Sequence, residues 1–246
     1  KFQKMQEITP YRKRKIRVLT LSEEKTKFIP LDQEHKKINL IDLASNDYLG
    51  LARHPNLIKA AYEIMQSQGV GAGSSRLLTG TRPVHTKLEA ALSDWLNRES
   101  ILLFPSGFQA NLAAVIALGG RNIPIIADRL IHHSLLVGIR ACGGKIKRFA
   151  HNDTDDLEKL LKQHTHQKPL VITESLFSME GTIAPLHKIA ELCQRYNAKL
   201  LIDEAHALGV MGPQGKGLCF TLPHPITIIT GTFGKAFGCG GAFLSC

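Results

Sequence analysis

Residues 199–206 read Lys199-Leu-Leu-Ile-Asp203-Glu-Ala-His206, a short aliphatic run that ends in acidic and imidazole side chains. Such a run, bounded by polar residues, is typical of a buried β-strand. Polar groups that follow directly after a strand gather at one edge of an open α/β sheet, where ligands bind. The stretch therefore predicts a strand that delivers Asp203 and His206 to a functional edge.

On both sides of this stretch, amphipathic segments alternate with short β-rich segments. The helix-like segments cover residues 55–67, 84–97, 107–118, 132–141, 154–164 and 186–196. The strand-like segments cover residues 101–104, 123–127, 145–149, 170–173, 199–202, 226–230 and 242–245. Strands joined by crossover helices run parallel when they share a sheet. The alternation predicts an α/β fold with a mostly parallel sheet flanked by helices.

The two ends of the sequence differ from this alternating region. Residues 1–45 are polar and irregular apart from residues 38–43, an apolar stretch that predicts a strand. We expect an N-terminal arm over 1–45 and one large domain over 46–246. Because the sequence stops just after a strand-like segment, we expect it to be part of a longer polypeptide.

Composition limits the class of protein. With 246 residues, 43% hydrophobic and 21% charged, the chain can bury a full core. No run approaches the roughly 20 apolar residues of a membrane span, and the start has no apolar signal region. Five cysteines form no CxxC pair and no metal-ligand spacing with histidine. We expect a cytoplasmic protein without a membrane segment, a disulfide framework or a bound metal.

The net charge of +10 suggests an anionic partner. Nucleic acid and a nucleotide-bearing thioester both fit, and so does an ordinary solvated surface. Much of the excess lies near the start, in Lys1, Lys4, Arg12, Lys13, Arg14, Lys15, Arg17, Lys25 and Lys27. Charge alone does not choose between these interpretations.

Two nucleotide-binding classes are disfavoured by their missing motifs. The sequence Asp203-Glu-Ala-His206 is also a helicase box, but a helicase needs GxxxxGK followed by Ser or Thr earlier in the chain. The candidates at 212–216 and 231–235 have the wrong spacing and follow the acidic box. The glycine-rich stretch 69–76 lacks the third glycine of a dinucleotide loop and lies between two helices. We expect no nucleic-acid partner, although a basic nucleic-acid-binding protein stays as a third hypothesis.

A second chemical motif follows the strand-like segment 226–230. It reads Thr232-Phe-Gly-Lys235-Ala-Phe-Gly238 and places a lysine between glycines in an apolar stretch. Burying a charged ammonium is unfavourable unless the amine is neutralised or used covalently. Burial also lowers an amine's pKa and makes it a competent nucleophile toward an aldehyde. Taken alone, the motif also fits a phosphate contact or a surface loop.

Lysine and aspartate together indicate one cofactor. Pyridoxal 5'-phosphate (PLP) needs a lysine for its aldehyde and a carboxylate at its pyridine nitrogen, so that the protonated ring accepts electrons. Lys235 and Asp203 follow different strands and supply both groups. His206, three residues after Asp203, can reach the ring hydroxyl if the chain turns there.

Two further segments have the composition of cofactor contacts. The stretch from Phe104 to Asn111 places Pro, Ser and Gly before a helical run, and backbone N–H groups at a helix start bind phosphate. An ordinary strand-to-helix turn would look the same. In residues 128–134, His132 or His133 can stack on a pyridine ring. A histidine pair is also a common structural feature, and a metal site would need a third ligand.

These motifs, in this order, resemble the α-oxoamine synthase family of PLP enzymes, which has the aspartate-aminotransferase-like fold (fold type I). The resemblance extends from about Ile38 to the end of the sequence. The matching stretches begin at Ala44 (ASNDYLGL), Gly71 (GAGSSR), Phe104 (FPSGF), Asp128 (DRLIHHS), Thr173 (TESLFSMEG), Asp203 (DEAH) and Thr232 (TFGK).

The resemblance implies specific roles. Lys235 forms an imine with PLP and moves the substrate's Cα proton, Asp203 pairs with the ring nitrogen, and His206 contacts the ring hydroxyl. His132 stacks on the ring, so the expected catalytic residues are Lys235, His132 and Asp203. The expected contacts to the phosphate or the ring edges are Gly107, Phe108, Ser178 and Thr232. The expected substrate contacts are Arg12 and Asn46.

The resemblance also implies a reaction. Residues 74–80, Ser-Ser-Arg-Leu-Leu-Thr-Gly, are most similar to the biotin-pathway branch of the family. That branch condenses L-alanine with pimeloyl-CoA or a pimeloyl-carrier protein and releases carbon dioxide and a free thiol. The alternative is a sibling that condenses glycine with acetyl- or succinyl-CoA. Family members are homodimers with the active site at the interface, and they have a small C-terminal domain that this sequence lacks.

Overall fold

The computed structural model describes residues 19–21, 27–30, 40–223 and 225–246. The chain divides into two compact units, Lys1–Ser45 and Asn46–Cys246. In the described part of the first unit, strands β1 (Leu19–Leu21), β2 (Lys27–Pro30) and β3 (Leu40–Ile41) form an antiparallel sheet in that order. The expected strand at 38–43 is confirmed as the shorter β3. The expectation of irregular structure before it is wrong for β1 and β2, since strands this short give no readable periodicity.

The helices of the second unit are those that the apolar periodicity predicts. They are α1 (Pro55–Gln68), α2 (Pro83–Leu96), α3 (Gly107–Leu118), α4 (His133–Ala141), α5 (Thr154–Lys162) and α6 (Leu186–Arg195). Local capping explains several starts. Ser106 accepts a hydrogen bond from the N–H of Gln109 at the start of α3, and Asp153 accepts from the first turn of α5. Among the described helices, none is both long and apolar enough to cross a membrane.

The large sheet contains, in its described part, the strands β4 (Ile101–Phe104), β5 (Ile125–Asp128), β6 (Ile146–Phe149), β7 (Leu170–Glu174), β8 (Lys199–Asp203), β9 (Ile228–Thr232) and β10 (Ala242–Ser245). Their order is β4-β10-β9-β8-β7-β5-β6. Strand β10 is antiparallel to both of its neighbours, and the other described pairs are parallel. Strand β10 reverses direction relative to β9 because the connection between them, residues 233–241, contains no crossover helix.

Alternate residues of the central strands enter two different core clusters, one on each face of the sheet. On β8, Leu200 and Ile202 pack in one cluster with residues of α5 and α6, whereas Leu201 packs in the other with residues of α3 and α4. Side chains alternate faces along a strand, so a sheet covered on both sides needs continuous apolar runs. This explains why the central strands are uniformly hydrophobic.

The strand ends bring polar side chains together. In the register of the sheet, Glu174 of β7 lies opposite Asp203 of β8, and Asp203 lies opposite Thr230 of β9. The segment that carries Lys235 begins directly after β9. The sheet therefore places its acidic residues and its candidate amine at one edge.

Candidate active site

A cavity opens at the carboxyl ends of β7, β8 and β9, beside the start of α3. Its lining residues are Gly107, Phe108, Asn111, His132, Glu174, Asp203, Ala205, His206, Thr230, Gly231, Thr232 and Lys235. The cavity brings together the sequence-predicted site residues except Arg12, Asn46 and Ser178. These residues come from widely separated parts of the chain because parallel strands end at the same edge.

Asp203 is buried, with 6% of its surface exposed, and both carboxylate oxygens accept hydrogen bonds. Oδ2 accepts from Nδ2 of Asn111 at 2.7 Å, and Oδ1 accepts from the N–H of Ala205 at 2.9 Å. Donors of this kind stabilise the charged form of a carboxyl group. Asn111 is itself held by a 2.9 Å hydrogen bond to Oγ of Ser134. Asp203 is therefore held in a fixed orientation at the base of the cavity.

Lys235 is half-buried, and its Nζ lies 2.6 Å from Nε2 of His206. Burial lowers the pKa of the amine, and the negative charges of Asp203 and Glu174 partly offset this effect. A lowered pKa increases the fraction of free amine at neutral pH, which is the nucleophilic form. The sequence-based expectation of a lysine in an apolar setting agrees with this geometry.

His206 lies between Lys235 and Tyr48. Its Nδ1 is 2.7 Å from the Tyr48 hydroxyl, and 9% of the residue is exposed. Burial and the neighbouring positive charge of Lys235 lower the pKa of His206 to about 4. The ring is therefore neutral at physiological pH, with one protonated and one unprotonated nitrogen.

Glu174, at the end of β7, is a buried acid to which the sequence analysis assigns no role. It is 6% exposed. Burial, with the charge of Asp203 as the next cause, raises the pKa of Glu174 to about 8, and a hydrogen bond from the backbone of His132 opposes this shift. At neutral pH this carboxyl is mostly protonated.

The other cavity residues lie at helix starts and strand ends. His132 precedes α4, where its Nδ1 accepts from the N–H of Ser134 at 3.2 Å. Gly107 is the first residue of α3, and a Cβ there would lie 3.5 Å from Cβ of Thr232. Thr232 is fixed by donating to the carbonyl of Gly241 at 3.0 Å. This arrangement leaves the N–H groups at the start of α3 close to the cavity.

Two predicted contacts, Ser178 and Asn46, do not line this cavity, and a third is not among the described residues. Ser178 lines a second cavity together with Tyr48, Leu176, Phe177, Gly181, His206 and Val210, so His206 borders both cavities. Asn46 does not line the first cavity, and its Oδ1 accepts a hydrogen bond from Tyr48 at 3.1 Å. Arg12 lies outside the described residues. The roles assigned to these three residues stay predictions.

Asn111, Glu174 and Tyr48 are the contacts that sequence reasoning missed. Glu174 is recognisable in retrospect, because it follows the buried run 170–173 as Asp203 follows 199–202. Asn111 and Tyr48 carry no such signal, since their partners Asp203 and His206 lie 92 and 158 residues away. In the described part of the chain, no group of three or more His, Cys, Asp and Glu side chains could hold a metal ion.

The fold and the site together define a class of α/β protein. Its sheet is mostly parallel, and a cavity at the ends of the strands holds an amine and a carboxyl group. Residues 38–246 match the family described as aminotransferase class I and II. The chain belongs to this family, and the predicted fold class is confirmed.

Curated relatives indicate a narrower likeness. The chain is 45% identical over 210 residues to a putative 8-amino-7-oxononanoate synthase of Geobacillus kaustophilus, covering 84% of this chain and 54% of the relative. It is 45% identical over 206 residues to the 8-amino-7-oxononanoate synthase of Trichlorobacter lovleyi, covering 82% of this chain and 52% of the relative. The chain thus spans about half the length of these relatives.

Solved structures have the same architecture. SPT with a PLP internal aldimine superposes with a TM-score of 0.86 at 31% identity, covering 94% of this chain and 57% of that chain. The Sphingomonas wittichii serine palmitoyltransferase superposes with a TM-score of 0.87 at 30% sequence identity, covering 97% of this chain and 58% of that chain. The 8-amino-7-oxononanoate synthase of Francisella tularensis gives 0.72 at 29%, covering 84% and 58%.

Proposed function

We propose that this chain binds PLP, with Lys235 as the point of covalent attachment and Asp203 as the partner of the ring nitrogen. The observation that carries this proposal is the placement of both groups in one cavity, at the ends of the neighbouring strands β8 and β9. The likeness to SPT, solved with a PLP internal aldimine, supports the same cofactor.

The residues of the cavity fit this cofactor chemically. Asp203 accepts hydrogen bonds from two donors that orient it, and its carboxyl group is the type of partner that a protonated ring nitrogen requires. The N–H groups that begin α3 at Gly107 suit a phosphate, because a helix start carries partial positive charge. His132 and Thr232 line the same cavity, so stacking on the ring and a contact to its edge are assigned to them.

Bound PLP supplies an electron sink that stabilises a carbanion at the Cα atom of an amino acid. The chain's own residues handle the proton. Once the amino group of the substrate has displaced it from the cofactor, Lys235, with its lowered pKa, takes the Cα proton as a free amine and returns it as an ammonium. His206 holds Nζ of Lys235 at 2.6 Å, which keeps the base aligned between these states.

The reaction that we propose is the decarboxylative condensation of L-alanine with a pimeloyl thioester, which gives 8-amino-7-oxononanoate, carbon dioxide and the free thiol. The names of relatives at 45% identity support it. The thioester is pimeloyl-CoA or a pimeloyl-carrier protein, and the net charge of +10 favours either anionic donor. We also propose that the protein is a cytoplasmic homodimer. Within it, Arg12, Asn46 and Ser178 would lie near the substrate or the phosphate.

Absorbance titration with PLP tests the cofactor site. After removal of unbound PLP, the native chain should retain an absorbance band near the visible edge, and Lys235→Ala should not. Lys59→Ala is the matched control, because Lys59 is exposed on α1, where its Nζ lies 3.9 Å from Glu63. A band that persists in Lys235→Ala, or its loss in Lys59→Ala, would overturn the assignment.

Substrate pairs test the reaction. The native protein should release free thiol with L-alanine and pimeloyl-CoA at least about tenfold faster than with glycine and acetyl- or succinyl-CoA, a difference of about 1.4 kcal/mol. Serine with palmitoyl-CoA is included because SPT structures share the fold. Preference for glycine would support the sibling reaction and reject the proposed one.

A further inference from the structure

A continuous chain of hydrogen bonds runs from the cavity to the protein surface. Nζ of Lys235 lies 2.6 Å from Nε2 of His206, and Nδ1 of His206 lies 2.7 Å from the hydroxyl of Tyr48. The same hydroxyl donates to Oδ1 of Asn46 at 3.1 Å. His206 is buried, whereas Tyr48 and Asn46 are exposed. The catalytic lysine is therefore connected to two residues outside the cavity.

Asn46 and Lys235, at the two ends of this series of hydrogen bonds, impose the same donor-to-acceptor direction on it. The Oδ1 atom of Asn46 only accepts, so the single hydroxyl proton of Tyr48 is used there and its oxygen must accept from His206. At the other end, Lys235 in its ammonium form only donates, and this form requires an unprotonated Nε2 of His206. Both requirements place the proton of the neutral imidazole on Nδ1.

A rigid turn holds Tyr48 in place. The Asp47 carboxylate accepts from the N–H of Leu51 at 2.8 Å and from the N–H of Ala52, and the N–H of Gly50 donates to the carbonyl of Asp47 at 3.0 Å. The loop that follows Lys235 packs against this turn, because a Cβ at Gly238 would lie only 2.3 Å from the nitrogen of Ala52. Tyr48 is thus fixed relative to the segment that carries the lysine.

We propose that Tyr48 is a positioning residue that, with Asn46 behind it, fixes the Nδ1-protonated tautomer of His206 and so aims an unprotonated Nε2 at the Lys235 amine. A neutral imidazole has two possible tautomers, and the hydrogen bonds from Asn46 to Lys235 select one of them. Each tautomer presents a different group to the cavity, a lone pair or a proton.

The consequence for cofactor attachment rests on the proposed function. A lone pair on Nε2 orients Nζ by accepting one of its protons, which directs the lone pair of the free amine away from the imidazole. The alternative tautomer would point an N–H at Nζ, where it would repel the ammonium form or occupy the lone pair of the free amine. We therefore expect variants that lose this tautomer to react more slowly with an aldehyde at Lys235.

The test uses the cofactor-free chain labelled with ¹⁵N-histidine. Long-range ¹H–¹⁵N spectra report which ring nitrogen carries the proton, and His206→Gln identifies the His206 signals among the 11 histidines. We expect Nδ1 protonation in the native chain. In Tyr48→Phe, the tautomer ratio should move toward Nε2 protonation by roughly fivefold to tenfold, the amount that one neutral hydrogen bond supplies.

Three variants control the experiment. Tyr62→Phe removes a hydroxyl that contacts Gln66 on the exposed helix α1, and it should change nothing at His206. Asn46→Ala removes the acceptor behind Tyr48 and should act like Tyr48→Phe, whereas Asn46→Asp keeps an acceptor and should retain the native tautomer. If Tyr48→Phe does not fold, this Asn46 pair gives the same comparison.

Nε2 protonation in the native chain, or an unchanged ratio in both Tyr48→Phe and Asn46→Ala, would overturn the proposal. Because no cofactor is present, these results do not depend on whether Lys235 binds PLP. Failure of the PLP titration with a native Nδ1 tautomer would reject the proposed function and leave this inference intact.

Discussion

At the scale of single residues, burial sets the chemistry of the cavity. Glu174 and Asp203 are both 6% exposed and lie opposite each other on neighbouring strands. Asp203 has two hydrogen-bond donors, Asn111 and the N–H of Ala205, that compensate its charge. Burial, and then the charge of Asp203, raise the pKa of Glu174, so its proton stays on to a higher pH. The two carboxyl groups thus differ in their hydrogen-bond donors.

Glu174→Gln should remove a pH dependence of stability. The pKa of Glu174 is raised in the folded chain from its ordinary 4.5 to about 8, so between these values the folded state holds a proton that the unfolded state releases. Stability of the native chain therefore falls as pH rises through this window, by at most about 1.4 kcal/mol per pH unit. The advantage of Glu174→Gln over the native chain should grow across the same window.

Urea unfolding of both cofactor-free chains at pH 5, 6, 7 and 8 measures this difference. Glu63→Gln is the control, because Glu63 is exposed on α1. Parallel stability curves for the native chain and Glu174→Gln would show that Glu174 is ionised in the folded state and would reject the assigned protonation.

At the scale of elements, the turn before α1 and the loop after Lys235 are packed backbone against backbone. Gly50 and Gly238 have nearly the same conformation, with φ of +64° and +63°. A Cβ at Gly50 would meet nothing within 4 Å, whereas one at Gly238 would collide with Ala52. The two glycines therefore separate the effect of backbone conformation from the effect of contact.

Gly50→Ala should destabilise the chain by about 1 to 2 kcal/mol, because an alanine disfavours a left-handed conformation. Gly238→Ala should destabilise it by roughly 1 to 3 kcal/mol more, because its new methyl group has no space. Urea unfolding of both variants measures the two losses. Equal losses would mean that the loop after Lys235 does not depend on this close approach.

Elements and site differ in how far the sequence predicts them. Apolar periodicity locates α1 to α6, and short apolar runs locate the strands of the large sheet. The gathering of Asp203, His206 and Lys235 follows from the rule that parallel strands end at one edge. The role of Tyr48 is not predictable in this way, because its contact with His206 depends on how two distant loops pack.

At the scale of the whole molecule, α1 is a 14-residue helix with no buried residue. Ile58, Tyr62 and Met65 are spaced by three or four residues, so they form one apolar face, with 58%, 55% and 46% of their surfaces exposed. A contiguous apolar face at a protein surface is typical of an interface. The proposed homodimer supplies a second copy of the chain to cover it.

Ile58→Asp should therefore weaken self-association, because a charge at the centre of an apolar interface loses its water. Analytical ultracentrifugation should give twice the chain mass of 27.1 kDa for the native chain and a dimer dissociation constant at least about tenfold larger for Ile58→Asp. The neighbouring substitution Lys59→Asp, on an exposed side chain, should leave the dimer intact. A monomeric native chain would contradict the proposed dimer.

Borohydride reduction of the chain after incubation with PLP, followed by mapping of the modified peptide, tests the central claim most directly. Reduction makes the bond between a lysine and the cofactor permanent, so the labelled residue is identified by mass. The proximity of Asp203 and His206 to one lowered-pKa amine predicts a single label on Lys235. A label on another lysine, or none, would contradict the assignment of this cavity as a PLP site.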